Sequence, residues 1–253
     1  MNTIKLIDKD NYTILQLNRG KVNAINHEMV VEIRDAFQKF TADDAIKGVI
    51  ISGIPHFFSA GLDVIELYSY NEKKIKQFFN DFGSMFLDLV TFKKPLIAAI
   101  TGYAPAGGCV IAITSDYRVM AKGEKYTIGL NEVAVNIQIS SNLIHSYTYW
   151  IGSGLANRFI LSGKLMTVDE AKTSGLVNEI ADLEKVVSKA EFQMKSYLSF
   201  DQEILMNTKQ KLRKPWLDNL EMNPAEDLSQ AVKLWWRPEI RKKIKVFIDS
   251  LKK

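Results

Sequence analysis

Two nearly unbroken apolar runs, Gly48-Val49-Ile50-Ile51-Ser52 and Leu96-Ile97-Ala98-Ala99-Ile100, constrain the fold more than any other feature. A strand with one wet face alternates apolar and polar residues. An uninterrupted run of this length reads as a strand buried on both faces, the kind found in parallel sheets covered by helices. The segments between the runs fit that arrangement. Behind an Asn26 N-cap, Met29, Val30, Ile33, Phe37 and Phe40 recur at helical spacing and predict a helix over 27–40. Ile75, Phe78, Phe79, Phe82, Met85, Phe86, Leu89 and Val90 do the same over 72–92, where Lys94-Pro95 stops the helix. Ile4 to Ile7 and Tyr12 to Leu17 alternate around the polar turn Asp8-Lys9-Asp10-Asn11 and predict a hairpin. Ala106 to Ser115 reads as a helix with small residues at its start. Tyr117 to Ala121 and Tyr126 to Ile128 read as short strands. The fold class is α/β.

After about Ser140 the periodicity is helical nearly to Lys253, broken at Gly163, at Ser174-Gly175 and by a short segment from Leu176 to Ile180. The expected organisation is an α/β core over 1–195 and a helical C-terminal region over 196–253. With Cys109 as the single cysteine, an internal disulfide and a cysteine zinc cluster are both excluded. His27, His56 and His145 form no His-x3-His pair, so no metal site is expected. The net charge of +4 is too mild for a dedicated nucleic-acid binder and suits an anionic small ligand. No apolar stretch approaches the ~20 residues of a membrane span. Met1-Asn2-Thr3-Ile4-Lys5 lacks a signal core or an Arg-rich presequence, which gives the expectation of a cytoplasmic protein.

Three motifs carry candidate chemistry. Phe57-Phe58-Ser59-Ala60-Gly61-Leu62-Asp63 follows the first buried run, and its small residues leave backbone N–H groups uncovered. Thr101-Gly102-Tyr103-Ala104-Pro105-Ala106-Gly107-Gly108-Cys109 follows the second and opens a helix whose first N–H groups lack partners. Ile128-Gly129-Leu130-Asn131-Glu132 sets a carboxylate among apolar neighbours, where desolvation raises its pKa and makes it a general base near neutrality. Each has a plainer reading: a strand-to-helix turn, tight helix–sheet packing, a solvated glutamate. Together they supply the parts for enolate chemistry on a thioester, with N–H donors for the oxyanion and a carboxylate to move the proton.

The ordered set Asn18-Arg19-Gly20-Lys21-Val22-Asn23-Ala24-Ile25-Asn26, the Phe58 to Asp63 loop, the Gly102 to Cys109 stretch, Ser115-Asp116-Tyr117-Arg118, Ile160-Leu161-Ser162-Gly163 and Ala171 to Val177 resembles the enoyl-CoA hydratase/isomerase (crotonase) superfamily over most of the chain. The resemblance implies a spiral of ββα units in two roughly perpendicular sheets, with a helical C-terminal region that assembles trimers or hexamers. It implies an acyl-CoA substrate, so that coenzyme A enters as part of the substrate and no separate cofactor is needed. It also implies an oxyanion hole from the backbone N–H groups of Leu62 and Gly107. Coenzyme A contacts would lie along Lys21, Asn23 and Ala24 and along Ala60, Gly61, Leu62 and Asp63.

Hydratases of this superfamily carry two catalytic glutamates. The position of one, directly after the Gly-Gly-Cys stretch, is Val110 here, and the other aligns with Glu132. That pattern is similar to the Δ3-Δ2-enoyl-CoA isomerase branch of β-oxidation, whose chemistry needs only one acid/base. The alternatives are an enoyl-CoA hydratase or other single-carboxylate reaction, and a non-catalytic coenzyme A-binding or RNA-binding homologue. In place of the glycine-containing apolar turn of many members, the chain reads Asn136-Ile137-Gln138-Ile139-Ser140-Ser141, a segment expected to line the acyl pocket. Gly152-Ser153-Gly154 lacks the preceding strand and third glycine of a dinucleotide site. Cys109 is expected in the core, His56 and His145 as ordinary polar residues, with a contact to the acyl pocket the alternative for His145, and Trp235-Trp236 in packing or a subunit contact. The Arg241 to Lys245 run is read as a solvated helix face that can approach the coenzyme A phosphates.

Overall fold

The computed structural model describes residues 1–251; Lys252 and Lys253, where the expected C-terminal helical region ends, lie outside the described residues. The chain opens with the hairpin β1 (Ile4–Asp8) and β2 (Tyr12–Leu17), paired antiparallel from Ile4↔Leu17 to Asp8↔Thr13. Helix α1 (His27–Ala42) starts where the Asn26 side chain accepts the Met29 N–H, and it buries the predicted stripe of Met29, Val30, Ile33, Phe37 and Phe40. The buried runs are strands β3 (Gly48–Ser52) and β5 (Leu96–Ile100), fully buried along their length. Between them come β4 (His56–Phe57), α2 (Val64–Tyr68) and α3 (Glu72–Val90). After β5 follow β6 (Gly102–Pro105), α4 (Gly107–Ala112), β7 (Tyr117–Ala121) and β8 (Thr127–Gly129). A 3₁₀ turn at Glu132–Val135 leads into α5 (Ser141–Ser162). The remainder is β9 (Met166–Thr167), α6 (Val168–Thr173), β10 (Glu179–Ala181), α7 (Val186–Leu198), α8 (Gln202–Leu217), α9 (Ala225–Trp235) and α10 (Pro238–Leu251).

The strands form two sheets, ordered β1-β2-β3-β5-β7-β10 and β4-β6-β8-β9. Pairing from β2 through β10 in the first sheet is parallel, as is β4-β6-β8 in the second. Strands β3, β5 and β7 of the first sheet are each followed within a few residues by a short strand of the second and then by helix or 3₁₀ turn. This is the spiral of ββα units that the motifs imply. The motif strands of the second sheet are only two to four residues long. The expected strand over 126–128 is shifted by one residue. The Gly102 to Pro105 segment, read from sequence as loop, is itself a strand. Its Gly102 packs so closely on β4 that an added Cβ would stand 2.1 Å from the His56 carbonyl oxygen.

The helical region is fastened to the sheet by buried charge. Asp116, just before β7, takes the Leu96 N–H at 2.8 Å, Lys209 at 2.8 Å and Arg213 at 2.7 Å. The fully buried Arg118 lies 3.7 Å over the Trp150 ring and donates to the carbonyls of Ser115 and Leu176. The Ser115-Asp116-Tyr117-Arg118 motif is therefore a joint between the first sheet, α5 and α8. Among the described residues no helix is long and apolar enough to cross a membrane, and no cluster of three metal-ligating side chains occurs.

Candidate active site

The two small-residue loops are joined by the Phe58 and Ser59 N–H groups, which donate to Tyr103 O at 3.1 and 3.2 Å, and the first loop is also paired to the Val22–Ile25 segment. Ala60 N–H donates to Val22 O, Ile25 N–H to Gly61 O, and Asp63 N–H to Ile25 O, all at 2.8–2.9 Å. This short parallel ladder turns the Leu62 N–H away from the Asn23–Ile25 segment. Gly61, at φ +89°, sits where an L side chain is strained, and its missing Cβ leaves room for Ala106 and Pro105. Ala106 itself is held at φ 45° just before α4, a costly conformation for alanine, with its N–H fixed to Gly129 O at 2.8 Å. The Leu62 and Gly107 N–H groups find no acceptor among the described residues.

Glu132 opens the 3₁₀ turn after β8. The turn is closed by Ala134 N–H to Asn131 O at 3.0 Å and Ile137 N–H to Glu132 O at 2.9 Å, with Asn136 left-handed at its end. It directs Glu132 inward, 5% exposed, and Val133 outward. Among the described residues no cation pairs with its carboxylate, Oε2 is buried without a hydrogen-bond partner, and only the residue's own backbone N–H acts to lower its pKa. Desolvation with no compensating charge pushes the carboxyl from its ordinary 4.5 up to about 7. Leu62, Gly107 and Glu132 all line one cavity of about 850 Å³. Three residues far apart in sequence thus line one cavity, and they comprise two unsatisfied N–H donors and a proton acceptor poised near neutrality.

The other sequence-selected residues take different places. Asn23 is fully buried at φ 50°. Its amide donates to the carbonyls of Leu17, Phe57 and Phe58 and accepts the Arg19 N–H, so its side chain holds the first loop and is turned away from any ligand. Asp63 caps α2 through the Glu66 N–H and pairs with Arg19 at 2.8 Å. Lys21 is exposed, Ala24 and Ala60 half-buried, and Gly61 buried behind Leu62; none lines the cavity. Val110 is 1% exposed inside α4 and faces the core. Cys109 is fully buried, its thiol pushed up by desolvation, as a core residue. His145 is exposed on α5, in keeping with an ordinary polar residue, and does not take the alternative place at the cavity, which Asn142 and Leu143 of that helix line. Ile137, Gln138 and Ser140 line it as expected.

Sequence reasoning missed most of the cavity wall. Phe79, Phe82, Phe86 and Leu87 of α3 face Leu228 and Val232 of α9 and the adjoining Trp236. The signal was present, since the apolar stripe of α3 is wider than one buried face requires. Periodicity alone cannot distinguish a wall facing a void from a wall facing a neighbour.

The enoyl-CoA hydratase/isomerase family profile matches residues 9–253. The chain is 34% identical over 240 residues to the mitochondrial enoyl-CoA delta isomerase 1 of Rattus norvegicus, covering 94% of this chain and 83% of that protein. It is 32% identical over 169 residues to the 2,3-dehydroadipyl-CoA hydratase of Escherichia coli (strain K12), covering 66% of this chain and 64% of that protein. The crystal structure of human mitochondrial delta3-delta2-enoyl-CoA isomerase superposes with a TM-score of 0.94 at 26% identity, covering 99% of this chain and 98% of that one.

Proposed function

The chain belongs to the enoyl-CoA hydratase/isomerase family, and we propose that within it the protein is a Δ3-Δ2-enoyl-CoA isomerase, with Glu132 as its one acid/base and the Leu62 and Gly107 N–H groups as its oxyanion hole. The observation that carries this reading is Glu132: a buried, unpaired carboxylate on the cavity wall, with the inert Val110 where hydratases keep their second glutamate. The substrate is an acyl-CoA thioester, coenzyme A being part of it.

The reaction needs one base used twice. The Glu132 carboxylate removes a proton from C2 of the 3-enoyl-CoA. The electron pair of that C–H bond moves through C2 to the thioester carbonyl and forms a dienolate. The Leu62 and Gly107 N–H groups stabilise its oxyanion, each such donor contributing about 2.7–4 kcal/mol to lowering the barrier. The carboxylic acid then returns its proton to C4, and the double bond stands between C2 and C3. No water is consumed. A carboxyl near pH 7 suits both halves of this cycle, being basic enough to take the proton and acidic enough to return it. We further propose a homotrimer or hexamer acting in the cytoplasm on intermediates of fatty-acid β-oxidation.

The test offers the protein a 3-enoyl-CoA and, separately, a 2-enoyl-CoA. Conjugation of the first is followed by absorbance, and hydration of the second by loss of that absorbance. Conjugation faster than hydration is expected. Faster hydration assigns the protein to the hydratases, and neither reaction leaves a coenzyme A-binding homologue.

A further inference from the structure

A glycine inside a long helix weakens it relative to alanine, so its presence calls for a reason. Gly83 lies in the middle of α3. The usual reasons fail for it. Its φ is not in the left-handed region, and a Cβ built there would meet no atom within 4 Å. At three other glycines the reason is plain: an added carbon would stand 2.4 Å from Met194 at Gly48, 2.3 Å from Phe57 O at Gly53 and 2.8 Å from Ser59 O at Gly108, whereas Gly154 of α5 is as open as Gly83 but lies away from the cavity. What Gly83 borders is the cavity. Phe79 one turn before it and Phe86 and Leu87 one turn after it line the same wall, with Leu228 and Val232 of α9 opposite.

We propose that Gly83 is a specificity-determining residue that keeps the passage between α3 and α9 open for a long unbranched acyl chain. The inference rests on the thioester reading of the site, because it takes Glu132 and Gly107 as the end where the reacting carbons sit. From that end the walls are apolar through Ile137, Phe86 and Leu87. Charged side chains also line the cavity: the exposed Glu72, Lys76, Lys233 and Arg237, and the half-buried Asp227. The cavity stands in the upper part of the ~300–1,000 Å³ range of ligand sites. A short acyl group would fill only the reacting end and leave the phenylalanine walls wet. Each methylene of a longer chain buried there gains about fourfold in kcat/KM, the ratio equivalent to the ~0.8 kcal/mol of a buried CH₂. A side chain at 83 would occupy the lane that such methylenes need.

The experiment measures kcat/KM of wild type, Gly83→Ala and Gly83→Leu on 3-dodecenoyl-CoA and 3-hexenoyl-CoA. Wild type is expected to favour the longer substrate. The ratio of the two constants is expected to fall tenfold or more in Gly83→Leu and about threefold in Gly83→Ala, while Gly83→Ala melts at a higher temperature than wild type. A ratio unchanged by both substitutions, or a wild-type preference for the shorter substrate, overturns the proposal. If Gly83→Leu does not fold, the Gly83→Ala ratio decides alone. If wild type turns over neither substrate, the isomerase reading fails separately, and calorimetric binding of dodecanoyl-CoA and butyryl-CoA reads the same passage. Equal relative affinities in wild type and Gly83→Ala then overturn the role of Gly83.

Discussion

A methyl group on Gly61 would stand 3.4 Å from the amide nitrogen of Gly107 and 3.2 Å from the Ala106 Cβ, so the absence of one side chain keeps the N–H of another residue uncovered. Gly61→Ala therefore carries two penalties. The backbone stays at φ +89°, which costs about 1–2 kcal/mol for an L residue. The methyl also presses on the Ala106–Gly107 peptide whose N–H the proposed oxyanion needs. Chemical denaturation is expected to show a loss of about 1–3 kcal/mol, and turnover of a 3-enoyl-CoA to fall by about 10²-fold, the lower end of what one displaced oxyanion donor costs. Full activity in a destabilised Gly61→Ala protein would separate the Gly107 amide from the reaction.

The Glu132 carboxyl links activity and stability to pH in opposite senses. As a base it must be ionised, so kcat/KM is expected to rise through a single ionisation near pH 7 and then level. In the folded protein the group binds its proton more tightly than in the unfolded chain, whose carboxyl titrates near 4.5. Stability from this group is thus complete below pH 4.5 and is lost as pH rises through about 7. The raised pKa corresponds to about 3 kcal/mol at alkaline pH. Glu132→Gln removes the charge while keeping the shape. It should lower isomerase turnover by roughly 10²–10⁴-fold and yet be more stable than wild type at pH 8, with the two proteins converging at pH 4. A variant less stable than wild type at pH 8 would mean that the carboxylate has a cationic partner.

Gly107 tests the second donor from its side-chain direction. A Cβ there would approach Ile25 Cδ1 at 3.0 Å and Leu62 Cδ2 at 3.3 Å, both the ends of side chains that can yield. Gly107→Val should fold, but its stiff branched side chain would fill the space a thioester carbonyl needs. Wild type gains about 2.7 kcal/mol from a ligand at a hundredfold excess over Kd. The melting temperature of Gly107→Val is expected to change little on adding an acyl-CoA, whereas Leu62→Ala, which keeps its N–H, should still respond. Equal ligand-induced shifts in wild type and Gly107→Val would remove the Gly107 loop from the site.

The parts of the fold legible in the sequence were those in which one local pattern had one physical solution. β3 and β5 were readable because their runs, Val49-Ile50-Ile51 and Leu96 to Ile100, show no polar alternation and so offer no wet face. Asn26 was readable because capping is a short-range hydrogen bond. β4, β6 and β9 were not: at two to four residues they carry no periodicity, and their existence depends on partners distant in the chain. Glu132 could be picked out as a carboxylate among apolar neighbours, but its lack of a cationic partner is a property of the assembled walls. The same holds for Asn23. Its place in a loop beside the site follows from the sequence, but only the fold shows that the carbonyls of Leu17, Phe57 and Phe58 take its side-chain amide. The cavity itself is the space between α3 and α9, helices some 135 residues apart, and no local pattern encodes it.

The departure at Asn136 to Ser141 is supported from the C-terminal region, which gives a last prediction. Ser140, the N-cap of α5, makes no side-chain capping bond. Its place is taken by Asp227 of α9, whose carboxylate accepts the Ser141 N–H at 2.6 Å. One residue on, the Asn142 amide donates to Glu221 O and accepts the Glu221 N–H, both at 2.8 Å. The start of α5 is thus capped by a distant part of the chain, and the cavity wall formed by Ile137, Gln138 and Ser140 is held by the same bonds. Asp227→Ala should cost about 1 kcal/mol, as the loss of an N-cap acceptor does. Amide hydrogen exchange should accelerate over 137–144 while the sheet remains protected. Asp227→Asn keeps an acceptor oxygen and loses only the interaction of the charge with the helix start, about 0.3–1 kcal/mol, so it should fall between Asp227→Ala and wild type. In both variants KM for a 3-enoyl-CoA is expected to rise more than kcat falls, because the wall moves and Glu132 does not. An Asp227→Ala protein with wild-type exchange over 137–144 would show that the segment holds its shape without α9.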